Sequence, residues 1–248
     1  MTAPIARRRG VRAAMAVLAV GLMAAAGLAL AGRDGPPPSV AARPDSARPV
    51  LMLLTTLPLV FGERFGLEGG GSPALTALEK RYRVVPIGVA DSGSLHQGRL
   101  LLMAHPLAQP AEALVELDSW VRRGGRVLLL ADPALDWPSE RPLGDRLRPP
   151  PMFADTGLLK HWGLTLEAPD ERGPKEGRLA GFTIVTVSPG RLSGSCALGD
   201  RGLVAHCRIG RGEATVVADA DFLNVSELDG PSEHNLDALL AELAALER

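Results

Sequence analysis

The stretch that decides the fold is VLLLADP, residues 127–133. Five apolar residues run into Asp132 and Pro133 with no polar alternation, so this strand has no solvent-facing side. Such a strand lies in the middle of a sheet that is covered on both faces. The carboxylate at its end falls where open α/β sheets usually hold their ligands. The stretch therefore predicts a central strand, and it raises the question whether Asp132 binds a ligand or only begins a turn.

Predicted strands and helices alternate on both sides of this stretch. Two amphipathic helices, one beginning at Ser72 and one running from Pro110 to Gly124, separate apolar strands. These strands are predicted at 50–56, 83–89, 99–105 and 126–132. From residue 178, four short runs with glycine-rich turns predict antiparallel strands that extend or flank the main sheet, and a helix capped by Ser232 closes the chain. This order predicts an α/β fold with a mostly parallel sheet and an added antiparallel hairpin region.

The N-terminus has the pattern of an export signal. Four arginines within residues 7–12 precede an uncharged run at 13–31, about 28 Å long as a helix and close to the hydrocarbon thickness of a bilayer. The run fits an uncleaved membrane anchor, and its final Ala-Leu-Ala before Gly32 equally fits a cleaved signal peptide. Residues 33–48 hold four prolines and predict a linker. We therefore expect 1–32 to be a signal peptide or N-terminal membrane anchor, and 49–248 to form one extracytoplasmic α/β domain.

Charge and composition restrict the function classes. The chain has a formal net charge of −1, and the part after the N-terminal arginines is acidic without a basic stripe. Nucleic-acid binding is therefore not expected. With arginines holding the N-terminus in the cytoplasm, the domain is predicted to be periplasmic, either as a single-pass protein of the inner membrane or secreted after signal cleavage.

The two cysteines, Cys196 and Cys207, fall on adjacent predicted strands. If the turn between them centres on Arg201 and Gly202, the cysteines lie directly opposite each other and close enough to bridge. A disulfide is the expected state in an exported protein. Two free thiols remain the alternative, and a zinc site is disfavoured because no close histidine pair accompanies the cysteines.

Three carboxylates, Asp132, Asp219 and Asp221, lie at the carboxyl ends of predicted strands. Together with Asn224 and Asn235 they are candidates for a polar ligand or partner edge, or for a hard-metal site. The competing interpretation is structural, because aspartates commonly cap turns and helix starts. Asp221 in particular is predicted to cap a short helical turn.

A catalytic nucleophile is missing from the place where an α/β fold of the amidotransferase type holds one. There is no G-x-S-x-G, and the third strand runs into His105 instead of a cysteine or serine. The histidines have no evident partner and are predicted to lie at the surface or to cap. The glycine-rich stretch 66–75 lacks the residues of a phosphate loop or a dinucleotide fingerprint. No catalytic residue, cofactor or metal is therefore predicted.

Four segments occur in an order that resembles one known family. They are WVRRGGRVLLLADP, LLKHWGLTLE, RIGRGEATVVADADFLN and HNLDALLAEL, beginning at residues 120, 158, 208 and 234. The chain resembles, over roughly 50–246, the gliding-motility-type auxiliary proteins of ABC transport systems and a related domain of unknown function. That resemblance implies a Rossmann-like, class I glutamine amidotransferase-like domain beside the membrane components of an ABC transporter, without accepted catalytic residues. The recurring family positions correspond to Asp219, Asp221, Phe222, Asn224 and Asn235.

The expected function is that of a non-catalytic extracytoplasmic auxiliary component of an envelope transport system. It would bind a partner or small ligand at the edge where the strands end. The alternatives are a periplasmic hydrolase that depends on a metal or a carboxylate pair, and a purely structural envelope protein.

Overall fold

The computed structural model describes residues 37–60, 71–228 and 230–248. Eleven strands and five helices lie in these ranges. The strands are β1 (Val50–Thr55), β2 (Arg83–Pro86), β3 (Leu100–Ala104), β4 (Arg126–Leu130), β5 (Leu164–Glu167), β6 (Pro174–Leu179), β7 (Phe182–Val187), β8 (Arg191–Gly194), β9 (Ala197–Gly199), β10 (Val204–Ile209) and β11 (Gly212–Val217). The helices are α1 (Pro73–Glu79), α2 (Ser92–Leu95), α3 (Ala111–Arg122), α4 (Leu158–His161) and α5 (Asn235–Leu246).

Seven strands form one central sheet in the order β2-β1-β3-β4-β11-β10-β9. The first five strands of this order are parallel, and β10 and β9 continue the sheet antiparallel. The mostly parallel sheet with an antiparallel extension is as predicted. The last of the predicted antiparallel runs, β11, joins the two parts of the sheet, because it pairs antiparallel with β10 and parallel with β4.

The strand that decides the fold lies at the centre of this sheet. β4 has β3 on one side and β11 on the other, and its residues from Val127 to Leu130 are at most 1% exposed. Alternate side chains enter two separate apolar cores. Leu128 and Leu130 face the core beneath α1, α5 and the β6–β7 hairpin. Val127 and Leu129 face the core beneath α3 and α4. Burial on both faces explains the absence of polar residues in this strand.

Local signals place most of the helix boundaries. Ser72 caps α1 by accepting a hydrogen bond from the Leu75 amide at 3.1 Å, with Pro73 in the first position, as predicted. The closing helix differs, because α5 begins at Asn235 and the Ser232 hydroxyl donates to the Val225 carbonyl instead of capping the helix.

The N-terminal predictions fall mainly outside the described residues. The signal peptide or anchor and the glycine-rich residues 66–70 belong to that part of the chain. The described end of the predicted linker contacts the domain: the Arg43 amide donates to the Lys80 carbonyl, and its guanidinium pairs with Glu247 at 2.6 Å. Among the described residues, no helix is both long and apolar enough to cross a membrane.

Candidate functional site

The parallel register of β4 and β11 brings two of the predicted aspartates together. Leu130 lies opposite Val217. Asp132 and Asp219 each lie two residues beyond this pair, so they are side by side just after the two strands. We call the edge where β1, β3, β4 and β11 end the carboxyl edge. Asp221 completes a triad: one oxygen from each carboxylate lies within 4.8 Å of the others. The predicted convergence of Asp132, Asp219 and Asp221 is thus seen in the structure.

Each carboxylate of the triad also holds backbone in place. Asp132 accepts from the Ala134 amide at 2.8 Å, which makes the turn expected after the strand, and from the Ala220 amide at 2.9 Å. It therefore ties the segment after β4 to the segment after β11. Asp221 extends this connection by accepting from the Asp136 amide at 2.9 Å.

Asp219 has a different set of partners. Its Oδ2 accepts from the Thr186 hydroxyl at 2.5 Å and from the Phe222 amide at 3.4 Å. The 3-10 turn Asp221–Leu223 has Ala220 at its N-cap and no side-chain cap hydrogen bond, so Asp221 is the first residue of the turn and the prediction that it caps the turn is wrong. The Oδ1 of Asp219 is buried and has no hydrogen-bond partner among the described residues.

The electrostatics of the triad follow from its burial. Asp132 and Asp219 are 0% exposed and Asp221 is 1% exposed. Burial, reinforced by the charge of Asp132, raises the pKa of Asp221 to about 8. Burial also raises the pKa of Asp132, and burial together with the other two carboxylates raises that of Asp219. Three simultaneous negative charges are therefore strongly disfavoured here.

The two asparagines of the predicted edge have unequal roles. Asn235 is fully buried and uses its whole amide: it accepts from the Val185 amide at 2.9 Å and donates to the carbonyls of Val185 and Phe222 at 2.7 and 2.8 Å. It therefore joins β7 to the 3-10 turn beside the triad. Asn224 ends that turn, with its amide donating to the Asp221 carbonyl at 2.9 Å.

His105 was predicted as a surface or capping histidine, and that prediction is wrong. It is 0% exposed and directly follows β3 at the carboxyl edge, with a φ of +48° that is unusual for a non-glycine residue. Its Nε2 lies 2.8 Å from the Pro150 carbonyl oxygen. Burial lowers the pKa of His105, so its imidazole is neutral at neutral pH. The sequence signal for a buried His105 was its position before Pro106 at the end of an apolar strand. No sequence signal indicated that Thr186 would contact Asp219.

A long segment without helix or strand, residues 131–157, begins at the triad and contacts Asp221 through the Asp136 amide, and we call it the edge loop. It contains the predicted irregular region 133–151. Together with Leu107 it forms a groove of about 400 Å³ whose lining includes Trp137, Leu143 and Arg148. The loop therefore joins the triad at its start and presents a groove of its own.

The disulfide between Cys196 and Cys207 is present, with Cα atoms 4.8 Å apart. The β9–β10 register, in which Ala197 lies opposite His206, places the two cysteines directly opposite each other, as the predicted turn required. The bridge ties the entry of β9 to the second-last strand of the sheet.

Comparison with known proteins adds information on the fold alone. No protein-family model and no curated protein matches the chain. The N-terminal domain of mmIFT52 is similar with a TM-score of 0.52 and 15% identity, over 80% of this chain and 97% of that domain. At this identity the similarity supports the α/β fold and says nothing of activity.

Two glycosidases are similar over only part of their length. The exo-β-1,4-mannosidase Op5Man5 from Opitutaceae bacterium strain TAV5 has a TM-score of 0.46 at 13% identity, over 80% of this chain and 36% of the enzyme. The GH42 β-galactosidase Gan42B from G. stearothermophilus has a TM-score of 0.47 at 14% identity, over 83% and 30%. The chain thus spans about a third of these enzymes, and such weak similarity carries no argument about function.

Proposed function

We propose that this chain is a non-catalytic, extracytoplasmic auxiliary component of an ABC-type envelope transport system. Its α/β domain, which we assign to the Rossmann-like, class I glutamine amidotransferase-like group, binds the membrane components of the transporter at the carboxyl edge. The N-terminal segment directs the domain to the periplasm, as a cleaved signal or as an inner-membrane anchor. The ordered motifs quoted above support this assignment by resemblance.

The disulfide supports the compartment. Disulfides persist in the periplasm and other oxidising environments and are rare in the cytosol. Cys207 is only 2% exposed and the half-buried Cys196 packs against the same core, so the bridge joins an edge strand to the packed interior. This agrees with export of the domain.

One observation carries the proposed partner binding: large apolar side chains are exposed at the carboxyl edge. Leu143 is 87% exposed, Leu147 62%, Met152 59% and Leu107 55%. Three of these belong to the edge loop, and Leu107 and Leu143 line the same groove. A concentration of exposed apolar side chains around a groove is typical of a protein interaction surface. We therefore assign the edge loop as the docking surface for a protein partner.

The burial of the triad favours this function over a hydrolase. A hydrolase that used Asp132, Asp219 or Asp221 would need its substrate to reach them, and at most 1% of each residue is exposed. Their hydrogen bonds to the Ala134 and Asp136 amides instead hold the start of the edge loop. The carboxylates thus shape the docking surface from beneath.

Affinity purification of the tagged, membrane-crosslinked full chain from its own cells tests the proposal. We expect an ABC ATPase and its permease to co-purify, and the triple variant Leu143→Ser, Leu147→Ser, Met152→Ser to reduce their recovery at least tenfold. The control is Val115→Ser, which removes a 66% exposed apolar residue of α3, away from the carboxyl edge. Unchanged recovery with the triple variant, or recovery without any transporter subunit, would contradict the proposal.

A screen of the purified protein against ester, glycoside and phosphate probes with divalent metals tests the alternative. Metal-dependent turnover that is lost in Asp219→Asn would favour the hydrolase instead.

A further inference from the structure

A basic surface lies at the end of the sheet opposite to the aspartate triad. We call the end where β1, β3, β4 and β11 begin the amino edge. The arginines of this surface are exposed and come from scattered parts of the sequence: Arg83, Arg99, Arg123, Arg208 and Arg211. Arg83 begins β2, and Arg99 directly precedes β3. The Arg211 amide donates to the Arg122 carbonyl at 3.0 Å, which places the β10–β11 turn beside the end of α3.

The charge of these five arginines is not compensated by neighbouring carboxylates. None of the five forms an ion pair with another described residue. Three carboxylates of this edge pair with other arginines instead: Asp118 with Arg122, Glu213 with Arg126, and Glu247 with Arg43 and Arg81. The exposed Glu79 in the last turn of α1 is offset by Lys80 next to it. The amino edge therefore has an excess of positive charge, although the sequence contains no basic stripe.

Stabilisation of helix ends does not account for this surface. A cation near the C-terminus of a helix offsets the helix dipole, and Arg123 directly after α3 has that position. The other four arginines lie at strand ends, where no such dipole is present. Their exposed side chains are available to a partner.

The length of the surface fits a row of anionic groups and exceeds a single small anion. Arg83 lies on β2 and Arg208 on β10, which are separated by β1, β3, β4 and β11 in the sheet. With about 4.8 Å between neighbouring strands, the row is roughly 24 Å long. A groove of about 460 Å³ within it is lined by Arg99, Arg126 and Arg248, among other residues. One phosphate fits this groove but cannot contact the whole row.

The chain enters the domain at the same edge. The Arg81 guanidinium donates to the Ala41 carbonyl at 3.1 Å, and the Arg43 amide donates to the Lys80 carbonyl at 2.9 Å. Residues 32–40 separate Ala41 from the apolar run 13–31, which is predicted to enter a membrane. Even fully extended, a connection of this length reaches at most about 36 Å. A chain that retains the apolar run therefore keeps the amino edge close to the bilayer, which favours lipid over nucleic acid as the source of the anionic groups.

We propose that the amino edge lies against the anionic phospholipid headgroups of the membrane that holds the N-terminal segment. The phosphates of a lipid surface repeat in a plane, so they pair with the whole row, and each cation near such a surface strengthens binding roughly fivefold. The inference rests on the membrane attachment within the proposed function, and it does not depend on the transporter. It leaves the edge loop, at the opposite end of the strands, turned toward parts of the partner that project from the bilayer.

Hydrogen–deuterium exchange of the full chain in lipid nanodiscs tests the inference. We expect residues 80–83, 97–99, 122–126 and 208–212 to exchange about threefold more slowly, or slower still, with phosphatidylglycerol present than with phosphatidylcholine alone. Exchange in the edge loop should be the same in both lipids. Salt at about 0.5 M should abolish the difference, because it screens exposed charges.

Two triple variants separate this surface from the total charge of the chain. The protection by phosphatidylglycerol should be lost in Arg83→Gln, Arg99→Gln, Arg211→Gln. It should persist in Arg146→Gln, Arg178→Gln, Arg201→Gln, which changes three exposed arginines outside the amino edge. If the first variant does not fold, which circular dichroism shows, the salt dependence of the wild type decides.

The inference is wrong if the two lipids give equal exchange, if the edge loop is protected instead, or if the amino-edge variant keeps its protection. Equal protection by millimolar inorganic phosphate, or by a DNA duplex, in phosphatidylcholine nanodiscs would assign the surface to another anion and overturn it. Failure of the full chain to associate with the nanodiscs would overturn the membrane attachment as well. The nanodiscs contain no transporter, so partner recovery with the triple loop variant remains a separate readout.

Discussion

Replacing Asn235 by alanine tests whether this residue is structural or part of a ligand edge. The substitution removes the three hydrogen bonds of the Asn235 side chain. The amide of Val185 and the carbonyls of Val185 and Phe222 then lose their side-chain partner. Each buried backbone group left without a partner costs about 1–3 kcal/mol. With some relaxation, we expect a loss of roughly 3–5 kcal/mol, a large share of the 5–15 kcal/mol typical of a domain.

Urea unfolding followed by circular dichroism, with linear extrapolation, measures this loss. Asn224→Ala is the matched control, because Asn224 is only half-buried, and we expect it to cost less than about 1 kcal/mol. Asn235→Asp should destabilise as well, since it replaces the donor facing two carbonyls by an acceptor. A loss below about 1 kcal/mol for Asn235→Ala would refute the structural role and return the residue to the candidate ligand edge.

Three further predictions concern the rest of the domain. Replacing Cys196 and Cys207 by alanine should lower the free energy of unfolding by about 3 kcal/mol, the loop entropy of a bridge over 11 residues, as measured by urea unfolding. Reducing the disulfide of the wild type should lower it by the same amount, and unequal losses would contradict the prediction. Burial raises the pKa of Glu242, so the folded state keeps a proton that the unfolded chain releases. Glu242 should therefore contribute up to about 1.4 kcal/mol per pH unit to a fall in stability as pH rises above the usual glutamate range. Unfolding measured across pH should show a shallower slope in Glu242→Gln than in the wild type, the rest coming from the aspartate triad, whose pKa values burial also raises, and an unchanged slope would contradict the prediction. In Gly212→Ala the new Cβ would overlap the Val121 carbonyl, so we expect the protein to lose about 1–3 kcal/mol of stability and to melt at a lower temperature. An unchanged Tm would contradict the close approach of α3 and β11.

The local sequence pattern was sufficient to predict the main helices and strands and the disulfide. The apolar run 127–131 predicted a central strand, and β4 lies between two parallel neighbours. The cysteines could be paired because a hairpin register depends on a turn only a few residues away. Ser72 was recognisable as a cap for the same reason, since its partner is three residues along.

The candidate site was only partly predictable. Aspartates after strands indicated a shared edge, and the structure brings three of them together. Their burial was not predictable, because Asp219 contacts Thr186, 33 residues away, and Asp221 contacts the edge loop, 85 residues away at Asp136. His105 was misjudged because its exposure depends on Pro150, 45 residues later.

The sequence by itself determined the α/β alternation, the apolar centre of the sheet and the pairing of the cysteines, because each depends on residues that are close along the chain. Only the tertiary structure decided that β11 lies beside β4 and that Asp219 therefore meets Asp132. The physical reason is that hydrophobic periodicity shows which face of a segment is buried but not which distant segment covers it. The charge state of a carboxylate depends on that cover, through desolvation and neighbouring charges.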